Sequence, residues 1–263
     1  MAIPIAELSP EGVIEAIETN LVDASAALGR TMDGVVYKGS DVMWVYTGFP
    51  ALSRVMLARF PQEEAEDRVA EILSYFKQWD AAVSWVVGPT SWPPKLGEYL
   101  HNQGFGSSEL WTGMAVNLAT LPEALDDRPA GLRSWATLSA EPGAKPEDEA
   151  AVGVFSADNA GSDARSRFYL AYLDGKPVAR CMSYNRGDTI GLYWLTTLPQ
   201  HRGHGIAGAI GHRALADARD TGGRLAVMPA PLRSHSLCER LGFRAYCQFS
   251  VYVWPPAPIP MPA

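Results

Sequence analysis

The sequence predicts an α/β protein, with helices packed on a mixed α+β sheet, built as two similar halves in tandem. The β-like run 190–197 leads through a glycine turn into the helix-compatible run 206–220. Residues 84–105 and 225–243 share one order: strand, proline-containing turn, helix and Gly-Phe, before a long strand. The 263 residues, of which 47% are hydrophobic, suffice for one large core or two small ones.

Composition limits the classes of function. The net charge is −7 and no run of Lys or Arg is present, so a nucleic-acid partner is not expected. No apolar run approaches the ~20 residues of a membrane span, so no membrane partner is expected. Residues 1–10 lack the features of a signal peptide, and the three cysteines lack metal-ligand spacing. A cytoplasmic protein is therefore expected.

The first half, residues 1–120, begins with a helix. Ser9 is an N-cap candidate followed by Pro10 and Glu11, and Gly29 can end the helix. Alternating and periodic apolar residues then predict further elements. These are strands at 35–38, 41–47 and 52–58, a helix at 62–79, a strand at 82–87, a short helix before Gly104 and a strand at 109–118.

A linker is predicted at residues 121–130, a second domain at 131–254 and a proline-rich tail at 255–263. Asp174-Gly175 is a strong signal for a tight turn between two strands. The remaining predicted elements are strands at 131–136, 168–174, 177–184, 224–228 and 245–254, and a helix at 146–156.

The segment between residues 197 and 208 predicts an anion site. The first N–H groups of a helix lack intrahelical partners, and the helix dipole adds about half a positive charge there. Glycines without side chains let a phosphate approach this backbone. The residues expected to contribute are Gln200, His201, Arg202, Gly203, His204, Gly205, Ile206 and Ala207.

This stretch resembles the coenzyme A pyrophosphate loop of the GNAT superfamily of N-acyltransferases. The family pattern is Gln/Arg-x-x-Gly-x-Gly/Ala, and the sequence has Gln200, Gly203 and Gly205 at those positions. The resemblance implies a tandem GNAT protein that uses acetyl-CoA as co-substrate, without a metal, to acylate the amine of a small molecule. It also implies that pantetheine and the thioester contact the backbone of Leu195, Thr196 and Thr197.

The first half lacks this loop. At the start of its long helix no glycine pattern is present, and four acids occupy the first turns, Glu63, Glu64, Glu66 and Asp67. These acids would satisfy the helix dipole themselves and repel a pyrophosphate. The first half is therefore predicted to be a degenerate GNAT-like domain that acts as a scaffold or as a wall of the acceptor cleft.

Catalytic residues depart from the family. The resemblance implies a Tyr that protonates the departing thiolate, but Cys238 occupies that position. Cys238 is interpreted as a packed residue, an acid or a nucleophile. Tyr193 and Tyr246 are substitute acids. The resemblance also implies a Glu early in the strand before the loop as the base, but no acid lies inside this strand, and Asp188 is interpreted as a solvated turn residue rather than the base.

Other functions stay open. The chain could be a CoA-binding protein without catalysis, or it could take the acyl group from a carrier protein or an aminoacyl-tRNA. A metal site at His201 and His204 is disfavoured because no carboxylate or Cys lies nearby in sequence. His212 and His235 are expected to be surface or cap residues. A monomer or a homodimer is compatible with the sequence.

Overall fold

The computed structural model describes residues 9–49, 52–121, 132–138 (backbone), 163–173 and 176–255. They form two compact units. Unit 1 contains the described residues up to 24 and from 113 to 246, and unit 2 contains the described residues from 25 to 112 and from 247 to 255. The first part of the N-terminal helix therefore belongs to the unit formed by the second half of the chain.

Unit 2 is built on a mixed sheet. Strand order is β1-β2-β3-β4-β11; β3 and β4 are parallel, whereas the other neighbours are antiparallel. The core under α2 contains Trp85, Phe60 and Phe76. The elements are the second part of α1 (Pro10–Thr31), β1 (Val35–Lys38), β2 (Met43–Tyr46), β3 (Arg54–Met56), α2 (Ala65–Gln78), β4 (Val83–Val87), α3 (Leu96–Asn102), the first part of β5 (Gly106–Asn117) and most of β11 (Arg244–Trp254).

Unit 1 contains a second mixed array, in the order β5-β10-β9-β8-β7-β6. The pairs β6/β7, β7/β8 and β8/β9 are antiparallel, whereas the pair β9/β10 is parallel. Helix α4 buries Ile210, Ala214 and Leu215 in the core of this unit. The elements are β6 (Leu132–Leu138), β7 (Ser166–Leu173), β8 (Lys176–Arg186), β9 (Thr189–Thr197), α4 (Ile206–Asp220), β10 (Leu225–Pro231) and α5 (His235–Arg240).

The predicted mixed α/β fold is confirmed. Helix α4 has the predicted bounds. Helix α2 begins at Ala65 rather than residue 62, because residues 62–64 form a turn in which Glu64 N donates to Pro61 O at 3.1 Å. Strand β11 alternates as predicted, with Phe249 and Val251 buried.

Several predicted features lie outside the described residues. They are the helix at 146–156, the turn at 174–175, residues 122–130 of the linker and residues 256–263 of the tail. The strands on either side of that turn, β7 and β8, are nevertheless paired from Leu173↔Lys176 onward. This pairing is the antiparallel hairpin predicted from the Asp-Gly signal.

Candidate functional site

Strand β9 contains a bulge just before the glycine loop. Its pairing with β8 shifts between Met182↔Tyr193 and Arg180↔Thr196, so one residue of β8 faces two of β9. Trp194, in the bulge, has a φ of 51°, which is rare for a bulky side chain. Bulges change the direction of the strand and of its backbone groups. The backbone groups of Leu195, Thr196 and Thr197 therefore point in other directions than a regular continuation of β9 would give them.

The pairing of β9 with its parallel neighbour β10 is described only at their first residues. It runs from Leu225↔Thr189 to Val227↔Gly191. Farther along, β10 contains Pro229 and Pro231, which have no N–H to donate to a ladder. The bulged half of β9 therefore lies beyond the three residue pairs that join it to β10.

The loop that follows is held by short local contacts. Arg202 Nε donates to the backbone oxygen of Thr197 at 3.1 Å, and His204 Nδ1 lies 3.4 Å from the oxygen of His201. Gly203 has a φ of 79°, and a Cβ placed on it would meet no heavy atom within 4 Å. Arg202 thus fixes the loop to the end of β9, and the backbone at Gly203 faces open space.

Helix α4 starts with an uncovered positive end. Its N-cap is Gly205, with a φ of 72°, and no side chain caps the helix. The first turn contains no acid. Ile206 is buried and anchors the helix, while the loop residues Gln200 and Arg202 are exposed. The start of α4 can therefore accept an anion on its backbone N–H groups.

The corresponding part of unit 2 is different in two ways. Glu66 and Asp67 occupy the first turn of α2, as predicted. The chain after β3 also stays bonded to the chain after β4, because Trp92 N donates to Ala58 O at 2.9 Å and Phe60 N donates to Trp92 O at 3.1 Å. The acids and the continuous pairing both oppose the binding of an anionic ligand at this end of α2.

Tyr193 is tied to the N-terminal helix. Its hydroxyl donates to Asn20 Oδ1 at 2.7 Å, and Asn20 Nδ2 donates to the oxygen of Thr189 at 3.3 Å. Both side chains are buried. Asn20 was missed by the sequence reasoning, since no local signal links α1 with a strand 173 residues away. This contact shows that α1 contributes to the environment of β9.

Cys238 lies in the core of unit 1. It is fully buried, and its Sγ is 3.6 Å from Sδ of Met228 on β10. Burial raises the pKa of the Cys238 thiol to about 12. The thiol is therefore protonated at neutral pH, which favours the packing interpretation and weighs against the nucleophile.

The two remaining candidates lie at exposed or turn positions. Tyr246, on β11, is 38% exposed. The oxygen of Asp188 accepts from Arg224 N at 2.8 Å and from Leu225 N at 3.1 Å, between β8 and β9. Asp188 thus lies in a turn, as predicted, and its backbone oxygen joins this turn to the start of β10.

The described part of the chain contains no group of three or more His, Cys, Asp or Glu side chains placed to hold a metal ion. Within the same ranges, no helix combines the length and the apolar character that crossing a membrane requires.

Comparison with known proteins gives a match to a family model in the second half of the chain. Residues 131–243 match the model of the acetyltransferase (GNAT) family. No curated protein matches the chain in sequence.

Solved structures share the fold over nearly the whole chain. A GCN5-related N-acetyltransferase from Kribbella flavida is 19% identical, with a TM-score of 0.64 over 90% of this chain and 96% of that chain. One from Sphaerobacter thermophilus is 14% identical, with a TM-score of 0.54 over 94% and 93%. A tandem GNAT protein from the clavulanic acid biosynthesis pathway is 13% identical, with a TM-score of 0.52 over 94% and 96%.

Proposed function

We propose that the chain transfers an acyl group, in the first instance acetyl, from coenzyme A to the amine of a small molecule. The match of residues 131–243 to the model of the acetyltransferase (GNAT) family supports this proposal. The observation that carries the proposal is the start of α4. There, Gly205 caps the helix without a side-chain bond and the first turn lacks acids. The pyrophosphate of CoA is an anion suited to such a site.

The bulged half of β9 would hold the reactive end of the same molecule. Leu195, Thr196 and Thr197 lie between the bulge at Trp194 and the loop. Their backbone is the expected partner of the pantetheine and of the thioester. Backbone donors that stabilise an oxyanion typically contribute about 3–4 kcal/mol.

The reaction is a direct transfer. The neutral amine nitrogen attacks the thioester carbon, the C–S bond breaks, the nitrogen loses a proton and the sulfur gains one. The products are an amide and free CoA. The Tyr193 hydroxyl donates a hydrogen bond to Asn20 Oδ1, and the Cys238 thiol faces Met228. The proposal therefore relies on stabilisation of the oxyanion by the backbone of β9 rather than on these two side chains.

We assign the first half to a degenerate GNAT-like repeat. In both halves a parallel strand pair flanks the long helix, β3-α2-β4 and β9-α4-β10. A non-glycine residue of positive φ comes after the parallel strand pairs of β3 with β4 and of β9 with β10, Leu57 at 54° and Trp194 at 51°. These repeated features support a tandem arrangement, with one acyl-CoA site per chain.

The proposal includes the setting of the enzyme. The partners are a small-molecule amine and acyl-CoA, and the chain acts as a monomer or homodimer. The three cysteines are free thiols, which supports a reducing, cytoplasmic location.

The test joins calorimetry to a thiol-release screen. CoA and acetyl-CoA should bind with one site per chain, and free CoA should appear with at least one member of a panel of amines, amino acids and aminoglycosides. Binding without thiol release across the panel would indicate a CoA-binding protein without catalysis. Absence of CoA binding would favour a carrier protein or aminoacyl-tRNA as donor and would overturn the proposal.

A further inference from the structure

Trp194 is a large residue at the start of the strand segment that is proposed to hold the thioester. It lies in the bulge of β9 and directly precedes Leu195. Its φ of 51° is rare for a bulky side chain, and backbone held in such a region is often found at functional sites. The residue is only partly buried, so a ligand bound along this part of β9 can reach it.

The bulge directs Trp194 and its neighbour Leu195 to different surroundings. The indole of Trp194 lies beside the ring of Tyr193, with 6.2 Å between the ring centroids, and Tyr193 bonds to Asn20 of α1. Leu195 instead packs toward α4, because a Cβ placed on Gly211 of that helix would lie 3.2 Å from Cδ2 of Leu195. The indole therefore lies on the side of β9 that faces α1, and it leaves the side that faces α4 to Leu195.

The covalent order of acyl-CoA relates this indole to the acyl group. Pyrophosphate, pantetheine, thioester and acyl chain follow one another along the molecule. With the pyrophosphate at the start of α4 and the pantetheine on the backbone of residues 195–197, the thioester end points back along β9, away from the glycine loop. The next residue of β9 in that direction is Trp194. The acyl group is therefore expected beside the indole.

The surroundings of the indole resist its displacement. Strand pairs on both sides of the bulge, Met182↔Tyr193 and Arg180↔Thr196, fix the backbone at Trp194. The neighbouring ring of Tyr193 is buried and held by its hydrogen bond of 2.7 Å to Asn20. The indole therefore cannot move toward Tyr193 without disturbing a buried, hydrogen-bonded side chain, and a longer acyl chain would meet a fixed wall.

We propose that Trp194 restricts the donor to acyl-CoA with a short acyl chain, an assignment that rests on the proposed acyl transfer and defines its donor. The indole closes the space beyond the thioester carbon, so that acetyl fits and a chain longer by several methylene groups does not. Trp194 takes no part in proton transfer and acts as a specificity-determining residue. Each methylene group that an apolar site buries improves affinity about fourfold, and the indole withholds this gain from long chains.

The test measures dissociation constants of CoA, acetyl-CoA and hexanoyl-CoA by calorimetry, without an acceptor. Wild-type protein should bind hexanoyl-CoA no more tightly than acetyl-CoA. In Trp194→Ala, the affinity for hexanoyl-CoA relative to acetyl-CoA should rise about tenfold or more, with a smaller rise in Trp194→Phe. The dissociation constant of CoA itself should change less than about threefold. The matched control is Trp92→Ala, which removes an indole that is 52% exposed in unit 2 and should keep the wild-type preference.

An unchanged preference in Trp194→Ala would overturn the assignment, as would wild-type protein that binds hexanoyl-CoA much more tightly than acetyl-CoA. Either result would leave the proposed function intact if acetyl-CoA is bound and turned over. If Trp194→Ala fails to fold, Trp194→Gly is measured instead, because glycine adopts a positive φ without steric cost. Wild-type protein that binds none of the three molecules would refute the proposed function, and the role of Trp194 with it.

Discussion

In the proposed tandem arrangement the starts of helices α2 and α4 correspond, but only one is suited to an anion. Helix α4 begins at a left-handed glycine, has no capping side chain and carries no acid in its first turn. Helix α2 begins after Glu64 and has Glu66 and Asp67 in its first turn. The same helix dipole is therefore left unbalanced in one half and is balanced within the protein in the other.

The strands before these helices differ in how far they stay paired with the neighbouring parallel strand. After β3, the backbone bonds among Ala58, Phe60 and Trp92 continue the parallel pairing toward α2. The described pairs of β9 with β10 stop at Gly191↔Val227, and the bulge at Trp194 follows. The proposed binding half and the proposed scaffold half therefore differ in backbone pairing as well as in charge.

The largest expected effect comes from giving α4 an acid like those of α2. Gly203→Glu should weaken CoA binding about 100-fold or more, because a carboxylate near the phosphates costs several kcal/mol. Since Gly203 faces open space, the fold should persist. Calorimetry and circular dichroism measure the two effects.

Two controls separate charge from backbone strain. Gly203→Lys imposes the same unfavourable φ with the opposite charge and should bind CoA far better than Gly203→Glu. Gly187→Glu introduces an acid at another glycine with a φ of 67° and open surroundings, and should bind like wild type. Unchanged affinity in Gly203→Glu would remove the loop from the site.

The next largest effect is expected in the N-terminal part of α1, which belongs to unit 1. Asn20→Ala should destabilise the protein by about 1–3 kcal/mol, because the buried hydroxyl of Tyr193 loses its acceptor. Urea unfolding measures the loss, and Thr19→Ala, on the same helix, is the control.

Hydrogen exchange would show where this loss acts. Protection in Asn20→Ala should fall mainly in β9 and its neighbours in unit 1. A double-mutant cycle with Tyr193→Phe should give a coupling of about 0.5–3 kcal/mol. Additive effects of the two substitutions would show that the contact contributes no stability.

Cys238→Ala should have a smaller effect. It removes one buried sulfur from the core of unit 1, so a loss of about 1 kcal/mol is expected, with the CoA dissociation constant and turnover nearly unchanged. A large fall in turnover at unchanged affinity would instead identify Cys238 as the acid. A one-acetyl mass increase after wild-type protein is mixed with acetyl-CoA alone would identify a nucleophile.

The same thiol gives a pH dependence. Burial raises its pKa from 9.0 to about 12, so the unfolded chain loses this proton first as pH rises. The contribution of the thiol to stability should be constant below about pH 9 and decline as pH approaches 12. In Cys238→Ala this part of the alkaline decline should be absent, as urea unfolding at several pH values would reveal.

The smallest effect is expected at the start of α2. Asp67→Asn should lower stability by about 0.3–1 kcal/mol, because an acid that complements the helix dipole is removed. Calorimetry should still give one CoA per chain, since pairing after β3 is unaltered. Two sites in this variant would show that charge alone separates the halves.

Local signals explain what the sequence predicted correctly. A glycine turn and helix periodicity gave α4 its bounds, and alternation gave β1 and the buried face of β11. The loop pattern predicted a GNAT-like second half, and residues 131–243 match the model of the acetyltransferase (GNAT) family. The roles of Cys238, Tyr193 and Tyr246 stay predictions.

Features that depend on distant residues were not predicted. The bulge at Trp194 arises from the register between β8 and β9, which neither strand specifies alone. The contact of Asn20 with Tyr193 requires two segments to meet that share no local pattern.

The N-terminal part of α1 also sets an order of folding. Residues 10–24 are synthesised before the strand that they contact, because Tyr193 follows its partner Asn20 by 173 residues. At roughly 5–20 residues per second this is a delay of about 10–35 s. During that interval the apolar face of the nascent helix, including Ile17 and Leu21, lacks the strands that bury it in the finished protein. Contacts of such high sequence separation slow folding, so this segment is where a nascent-chain chaperone would be expected to act.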